Sequence, residues 1–290
     1  MTLLRLGLAL LALCGASVLP AEIRIVGSDL LAPVLAPALA DWARAEEQAV
    51  GTNFAGSHAG WRELQAGRAD LALVSFAPGE APPDATFVTL PFAWHVAGVL
   101  VPANLPLEQV PLSKLAGVFG AAEGGGWKRW ADLGVSGEMG TRNILPRVHQ
   151  PAGCLGPELF RHRVLQGRPW RADLPIRTDA KRPELDTAAV AESMVLAPLP
   201  WPESAGFKAL ALARDANEPA YPPTAYHVQR GNYPLAWPVH VVFRREQTRE
   251  LYPLLRYLLG EEIARLCGQM HLLPAPEAVR SEAVFGLEHL

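Results

Sequence analysis

The sequence predicts an α/β protein built on parallel strands with helices on both faces of the sheet. Three observations carry that expectation. Short apolar runs at 23–26, 50–54 and 69–75 each lead into small polar residues. Helical spacing fills the gaps: Leu31, Val34, Leu35, Ala38, Leu39 and Trp42 follow the first run, and a short helix over 61–66 follows the second. Strands alternating with helices give a parallel sheet covered on two sides. The composition agrees, since 50% of the 290 residues are apolar and 19% charged, which suits one large or two medium globular domains and not a disordered chain. A net charge of −3 without runs of like sign argues against a nucleic-acid-binding stripe or a polybasic membrane patch.

Residues 1–21 stand outside this pattern. Arg5 precedes an apolar run from Leu6 to Leu13, small residues follow at Gly15, Ala16 and Ser17, and ordinary alternation begins at Glu22. That is the order of a secretory signal. The run is too short for a bilayer span, which takes roughly 20 residues. The mature chain is therefore expected in the periplasm or otherwise outside the cytoplasm. Cys14 occupies a place open to lipid attachment, although the bulky Leu13 before it disfavours that. Cys154 and Cys267 remain, and an oxidising compartment leaves a disulfide between them open. There is no CxxC, no HExxH and no Cys/His cluster, so neither a metal site nor a cofactor is expected.

The elements follow in order. The first unit is strand 23–26, a tight turn at 27–29, and a helix in which Pro33 is acceptable but Pro37 should kink or shorten the run. The second is strand 50–54, a GSHAG turn at 56–60, helix 61–66 and strand 69–75. The long apolar stretch 91–101 reads as a strand leaving the first domain. A short helix at 111–119 and a glycine loop at 124–126 precede Trp127 and Trp130, whose rings are assigned to packing. Then come a weak strand at 143–149, a helix at 157–166, a strand at 194–199 and a connecting loop at 221–237. An alternating strand at 239–243 and helices at 248–260 and 261–270 close the chain.

Candidate chemistry sits at the strand ends. A Gly-Ser turn before a helix presents free N–H groups and the positive end of the helix dipole, so Gly27, Ser28 and Asp29 suit an oxyanion. The competing role is a plain N-cap by Ser28 or Asp29. Ionised Asp29 can only accept, so it would favour an anion that keeps a proton. GSHAG repeats the device with Ser57 as donor, and Ser75 ends a third strand at the same edge. Ligands of open α/β sheets bind at that edge. Arg147 ends a candidate strand in the second half, either as a charged anchor or as a surface arginine. No GxSxG, Walker loop or GxGxxG occurs, and Ser57 beside His58 lacks an assignable third catalytic member. Binding, not catalysis, is expected.

Five stretches, in order, resemble the phosphate-binding-protein family of periplasmic receptors for ABC transporters. GSDLLAPVLAPALADW is similar to that family's opening strand-turn-helix, and GSHAGWRELQAGRADLALVSF to its GSG-to-ADIA stretch. PLSKLAGVFGAAEGGGWKRWADLGVSG, GNYPLAWPVHVVFRRE and GQMHLLPAP resemble three later motifs, so the likeness spans nearly the whole mature chain. The resemblance implies a type II periplasmic-binding-protein fold of two α/β lobes, each a mostly parallel sheet flanked by helices, with two hinge crossings. It implies residues 22–92 and 239–290 in one lobe and 93–238 in the other. It further implies a small oxyanion, phosphate foremost, a membrane permease as partner, a monomer, and closure about a hinge. The family's anion site would map onto Ser28, Asp29 and the backbone at Leu30, onto Ser57 with His58 beside it, and onto Arg147 with Gly153 and Cys154. Departures are visible. Ala152-Gly153-Cys154 replaces Ser-Gly-Thr, His58 replaces a glycine, and Phe76 replaces a frequent arginine. A hydrogen bond to a charged group contributes roughly 1.5–3 kcal/mol. Losing several would disable phosphate binding unless His58, Arg62 or Arg142 compensates. The alternative is a sensor or interaction protein on the same fold with a degraded site. Because Cys154 and Cys267 would lie in different lobes, two free thiols are expected.

Overall fold

The computed structural model describes residues 21–77, 80, 83–121, 126–178, 192–200 and 206–289. The expected signal segment, apart from Ala21, and Cys14 lie outside the described residues. Among the described residues no helix is long and apolar enough to cross a membrane.

The chain opens with β1 (Ile23–Gly27), a 3-10 turn (Asp29–Leu31), α1 (Ala32–Ala45), β2 (Val50–Asn53), α2 (Ser57–Gln65) and β3 (Leu71–Val74). β1 pairs in parallel with both β2 and β3. Side chains alternate across the strands, as period two requires. Ile23, Ile25, Leu71 and Leu73 face α1, whose Leu35, Leu39 and Trp42 form the other side of that core. Val26, Ala72 and Val74 face the opposite way, against Trp61 and Leu64 of α2. Two expectations change here. Pro37 lies inside an unbroken α1, exposed, while the opposite face is held by buried packing. Its missing N–H forgoes the bond to Pro33 O at an interior position, where a proline costs about 3 kcal/mol, and the buried packing of Leu35, Ala38, Leu39 and Trp42 offsets that cost. The GSHAG turn is shorter than expected, because Ser57 already begins α2 and Gly56, at φ 113°, is its N-cap.

β4 (Phe87–Pro102) is a sixteen-residue strand that serves both halves. Its first part, Phe87 to Val96, pairs antiparallel with β11 (Ala236–Arg244), and Ala97 to Leu100 pairs with β8 (Ser193–Pro198). At the change of partner the Ala97 N–H donates to Leu235 O (2.9 Å) and the buried Tyr233 hydroxyl donates to Ala97 O (2.9 Å). The second half contains β5 (Gln109–Pro111), α3 (Leu112–Phe119), α4 (Gly137–Thr141), β6 (Leu145–His149), α5 (Gly156–Arg163), β7 (Ile176–Arg177), β8, β9 (Phe207–Ala209), β10 (Ala211–Ala213) and α6 (Ala225–Gln229). β6 is parallel to both β7 and β8. The expected loop at 221–237 thus holds α6, whose N-cap Thr224 accepts from the His227 N–H, and the start of β11. After β11 come α7 (Thr248–Leu258), α8 (Glu261–Cys267), β12 (Leu272–Pro274) and α9 (Glu277–Leu287).

The sheet order is β2-β1-β3-β11-β4-β8-β6-β7, with β12 and β9 also on β4. Each half keeps parallel strands between helices and its own core. The long antiparallel strands β4 and β11 join the halves.

Candidate functional site

The ends of β1, β2 and β3 are tied together by backbone and side chain. The Ser28 N–H donates to Leu73 O (2.9 Å), the Gly56 N–H to Gly27 O (2.9 Å), and the Ser75 N–H to Ser57 Oγ (3.1 Å). Two glycines make this approach possible. Gly27 has φ 156°, and a Cβ there would stand 2.2 Å from Leu73 O; a Cβ on Gly60 would stand 2.9 Å from the Gly27 backbone. The structure therefore brings Ser28, Ser57 and Ser75 to one edge. Ser28 is buried, and its side chain makes no capping hydrogen bond to the turn that follows. Asp29 is exposed and Leu30 half-buried beside it. Ser57 is the first residue of α2, at the positive end of that helix. Because its oxygen accepts from Ser75, its own proton remains for donation. His58 follows, exposed. Phe76 turns into the core, edge-on to Trp61 with ring centres 5.6 Å apart and close to His240.

The second half is arranged otherwise. Gly153, at φ 80°, makes an exposed turn between β6 and α5. Cys154 is buried, and its Sγ accepts from the Gly156 N–H at 3.3 Å. Burial pushes this thiol up to about 11. Where a hydroxyl would donate to a ligand, the sulfur instead closes its own loop. Arg147 lies on β6 and lines a cavity of about 330 Å³ with Lys128, Arg171 and Asp173. Among the described residues no hydrogen bond or ion pair joins it to the Ser28–Ser57–Ser75 edge. Arg142 is held by Glu138 at 2.9 Å, and Arg62 is exposed on α2. Trp130 is buried, and Trp127 lies against Gly117. Cys154 and Cys267 are both buried free thiols. No metal-holding cluster occurs among the described residues. Sequence reasoning did not single out Gly60, Lys128 or Arg171. The GSHAG motif quoted Gly60 without its reason, and nothing local marks the other two as neighbours of Arg147.

No family model and no curated protein matches the sequence. Solved structures do. A possible phosphate binding protein from Planctomyces limnophilus DSM 3776 superposes with TM-score 0.65, covering 93% of this chain and 99% of its own at 14% identity. PstS from Borrelia burgdorferi gives TM-score 0.65 over 87% of this chain and 98% of its own, at 12% identity. An ABC-type phosphate transport receptor from Vibrio cholerae gives 0.54 over 88% and 100%, at 18% identity. The fold is that of the phosphate receptors. In this phosphate-receptor fold, the two-lobe type II arrangement, the Gly27–Asp29 and Gly56–Gly60 turns occupy the C-terminal edge of a parallel sheet, where α/β proteins place their ligands.

Proposed function

We propose that this protein is an exported receptor that holds a small oxyanion, phosphate first, between two lobes and presents it to an ABC transporter permease. The observation that carries the reading is the triple knot of strand ends at Ser28, Ser57 and Ser75 on a phosphate-receptor fold. The Ser57 hydroxyl and the free N–H groups at the start of α2 donate to the anion, and His58 flanks them. Asp29 accepts the proton that a partly protonated anion retains, with the Leu30 backbone beside it. Residues 22–92 and 239–290 form the donor lobe, and 93–238 the closing lobe, which contributes the Gly153–Cys154 turn. No bond is made or broken, and the protein acts as a monomer. Arg147 is assigned elsewhere, because it lines a cavity with Lys128, Arg171 and Asp173.

Thermal unfolding of the mature chain, stripped of ligand, tests this. A ligand at about 100 times its Kd adds about 2.7 kcal/mol, a shift of a few degrees. Phosphate and arsenate are expected to stabilise, and sulfate, which carries no proton for Asp29, is not. Molybdate serves as a further size control. Absence of any shift supports the second reading, a sensor or interaction protein on the same fold. The buried Cys154, in place of a hydroxyl, is the observation that favours it.

A further inference from the structure

We propose that the second half carries another anion site, separate from the strand-end cluster, in the cavity beside β6 that Arg147 and Lys128 line, and that it takes a phosphate monoester with a small apolar substituent.

The argument begins with strand alternation. Leu145, Arg147 and His149 share one face of β6, and Pro146 and Val148 the other. Arg147 stands opposite Val195 of β8. The Arg147 Nε is buried and has no hydrogen-bond partner among the described residues. No carboxylate pairs with this guanidinium among the described residues. A cavity of about 330 Å³ that Arg147 lines brings in two further cations, Lys128 and Arg171. The one carboxylate among the described lining residues, Asp173, is already gripped by Arg171, with Nε–Oδ1 at 2.7 Å and a second bond at 3.0 Å. Three cations against one committed carboxylate leave an excess that suits a dianion. A guanidinium with unused donors binds a planar or tetrahedral oxyanion through two parallel bonds, and does so better than an ammonium. Leu145 and Pro175 supply apolar wall. The cavity has room beyond a bare oxyanion, and that wall suits an organic group on the phosphate.

The inference does not rest on the cleft reading, and the two fail separately. Isothermal titration of the mature chain with phenyl phosphate, and with inorganic phosphate, is the experiment. Lys128→Gln, Arg147→Gln and Ser57→Ala are compared with the wild type, each checked for folding by thermal unfolding. Phenyl phosphate is expected to bind the wild type. Arg147→Gln should weaken it at least tenfold and the exposed Lys128→Gln severalfold, while Ser57→Ala leaves it within twofold. Inorganic phosphate should respond to Ser57→Ala and not to Lys128→Gln. The proposal is overturned if the wild type does not bind phenyl phosphate, if neither cation variant weakens it, or if Ser57→Ala abolishes it. Equal weakening of inorganic phosphate by Arg147→Gln overturns the monoester assignment.

Discussion

At the ends of β1, β2 and β3 three turns are fastened to one another, whereas the loop after β6 is tied to β7 only at its start, through the Gln150 N–H to Arg177 O, and its Pro151–Gly156 turn closes on itself. In the first region Ser28 bonds Leu73, Gly56 bonds Gly27, and Ser75 bonds Ser57, so the donors are held before any ligand arrives. In the second, Cys154 takes the Gly156 N–H and buries its sulfur. Preorganised donors lower the cost of binding, because little ordering remains to be done. The same supersecondary plan, strand then turn then helix, thus yields an anion-ready edge in one half and a closed, apolar one in the other.

The strongest test of that contrast compares two glycines. A methyl on Gly27 would stand 2.2 Å from Leu73 O, whereas on Gly153 it would meet nothing within 4 Å. Gly27→Ala should cost about 3 kcal/mol or more, lowering Tm by roughly 6–12 °C. Gly153→Ala should cost only the positive-φ penalty, about 1–2 kcal/mol. Equal losses in a thermal-unfolding pair would erase the difference between the regions.

The next effect concerns the buried sulfur. The Cys154 thiol is raised from its ordinary 9.0 to about 11 by burial. A raised folded-state value stabilises fully below the unfolded pKa and is lost as pH rises through the folded one. Folding should therefore weaken between about pH 9 and about pH 11, by about 2–3 kcal/mol from this residue at 1.36 kcal/mol per unit. Cys267, pushed to about 12 by its own burial, adds in the same direction. Urea unfolding at about pH 8 and about pH 11 should show a smaller loss in Cys154→Ala than in the wild type. An unchanged slope would mean the thiol is not sequestered.

The smallest effects are read in binding. Ser57→Ala strands the Ser75 N–H, costing about 1 kcal/mol of stability, and should weaken phosphate about tenfold or more. Cys154→Ser gives the second half a hydroxyl and should strengthen phosphate by about tenfold, since a donor to a charged group contributes roughly 1.5–3 kcal/mol. Calorimetry on the two variants sharpens the comparison. If Cys154→Ser leaves affinity unchanged, the second turn does not reach the ligand.

Much of the first half was legible because its signals are local. The apolar runs, the small residues after them and the helical spacing of Leu35, Leu39 and Trp42 each fall within a few turns of chain. The extent of α1 was not, because tertiary packing overrides one proline. Strand β4 was read only as residues 91–101. Its first residues, Phe87 to Leu90, are strand because they pair with Val241 to Arg244, contacts that no local pattern announces. Arg147 was legible as a strand arginine, but not the cavity it lines. Whether a side chain faces one way or the other turns on a single residue of register, and Leu145-Pro146-Arg147-Val148-His149 alternates too weakly to fix it. Lys128 and Arg171 reach that cavity from separate loops.

The order of strands has a consequence for synthesis. β3 and β4 are consecutive in sequence, yet the place between them is filled by β11, which begins at Ala236. A growing chain that has reached residue 102 holds two strands that lack their shared neighbour, each with an edge of unpaired N–H and C=O groups. The place between them fills only when Arg244 has emerged, more than a hundred residues later. Until then the nascent chain is exposed to wrong partners, as long-range sheets are. Newly made copies truncated before Ala236 should therefore be captured by chaperones or degraded, whereas copies extended past Arg244 should persist.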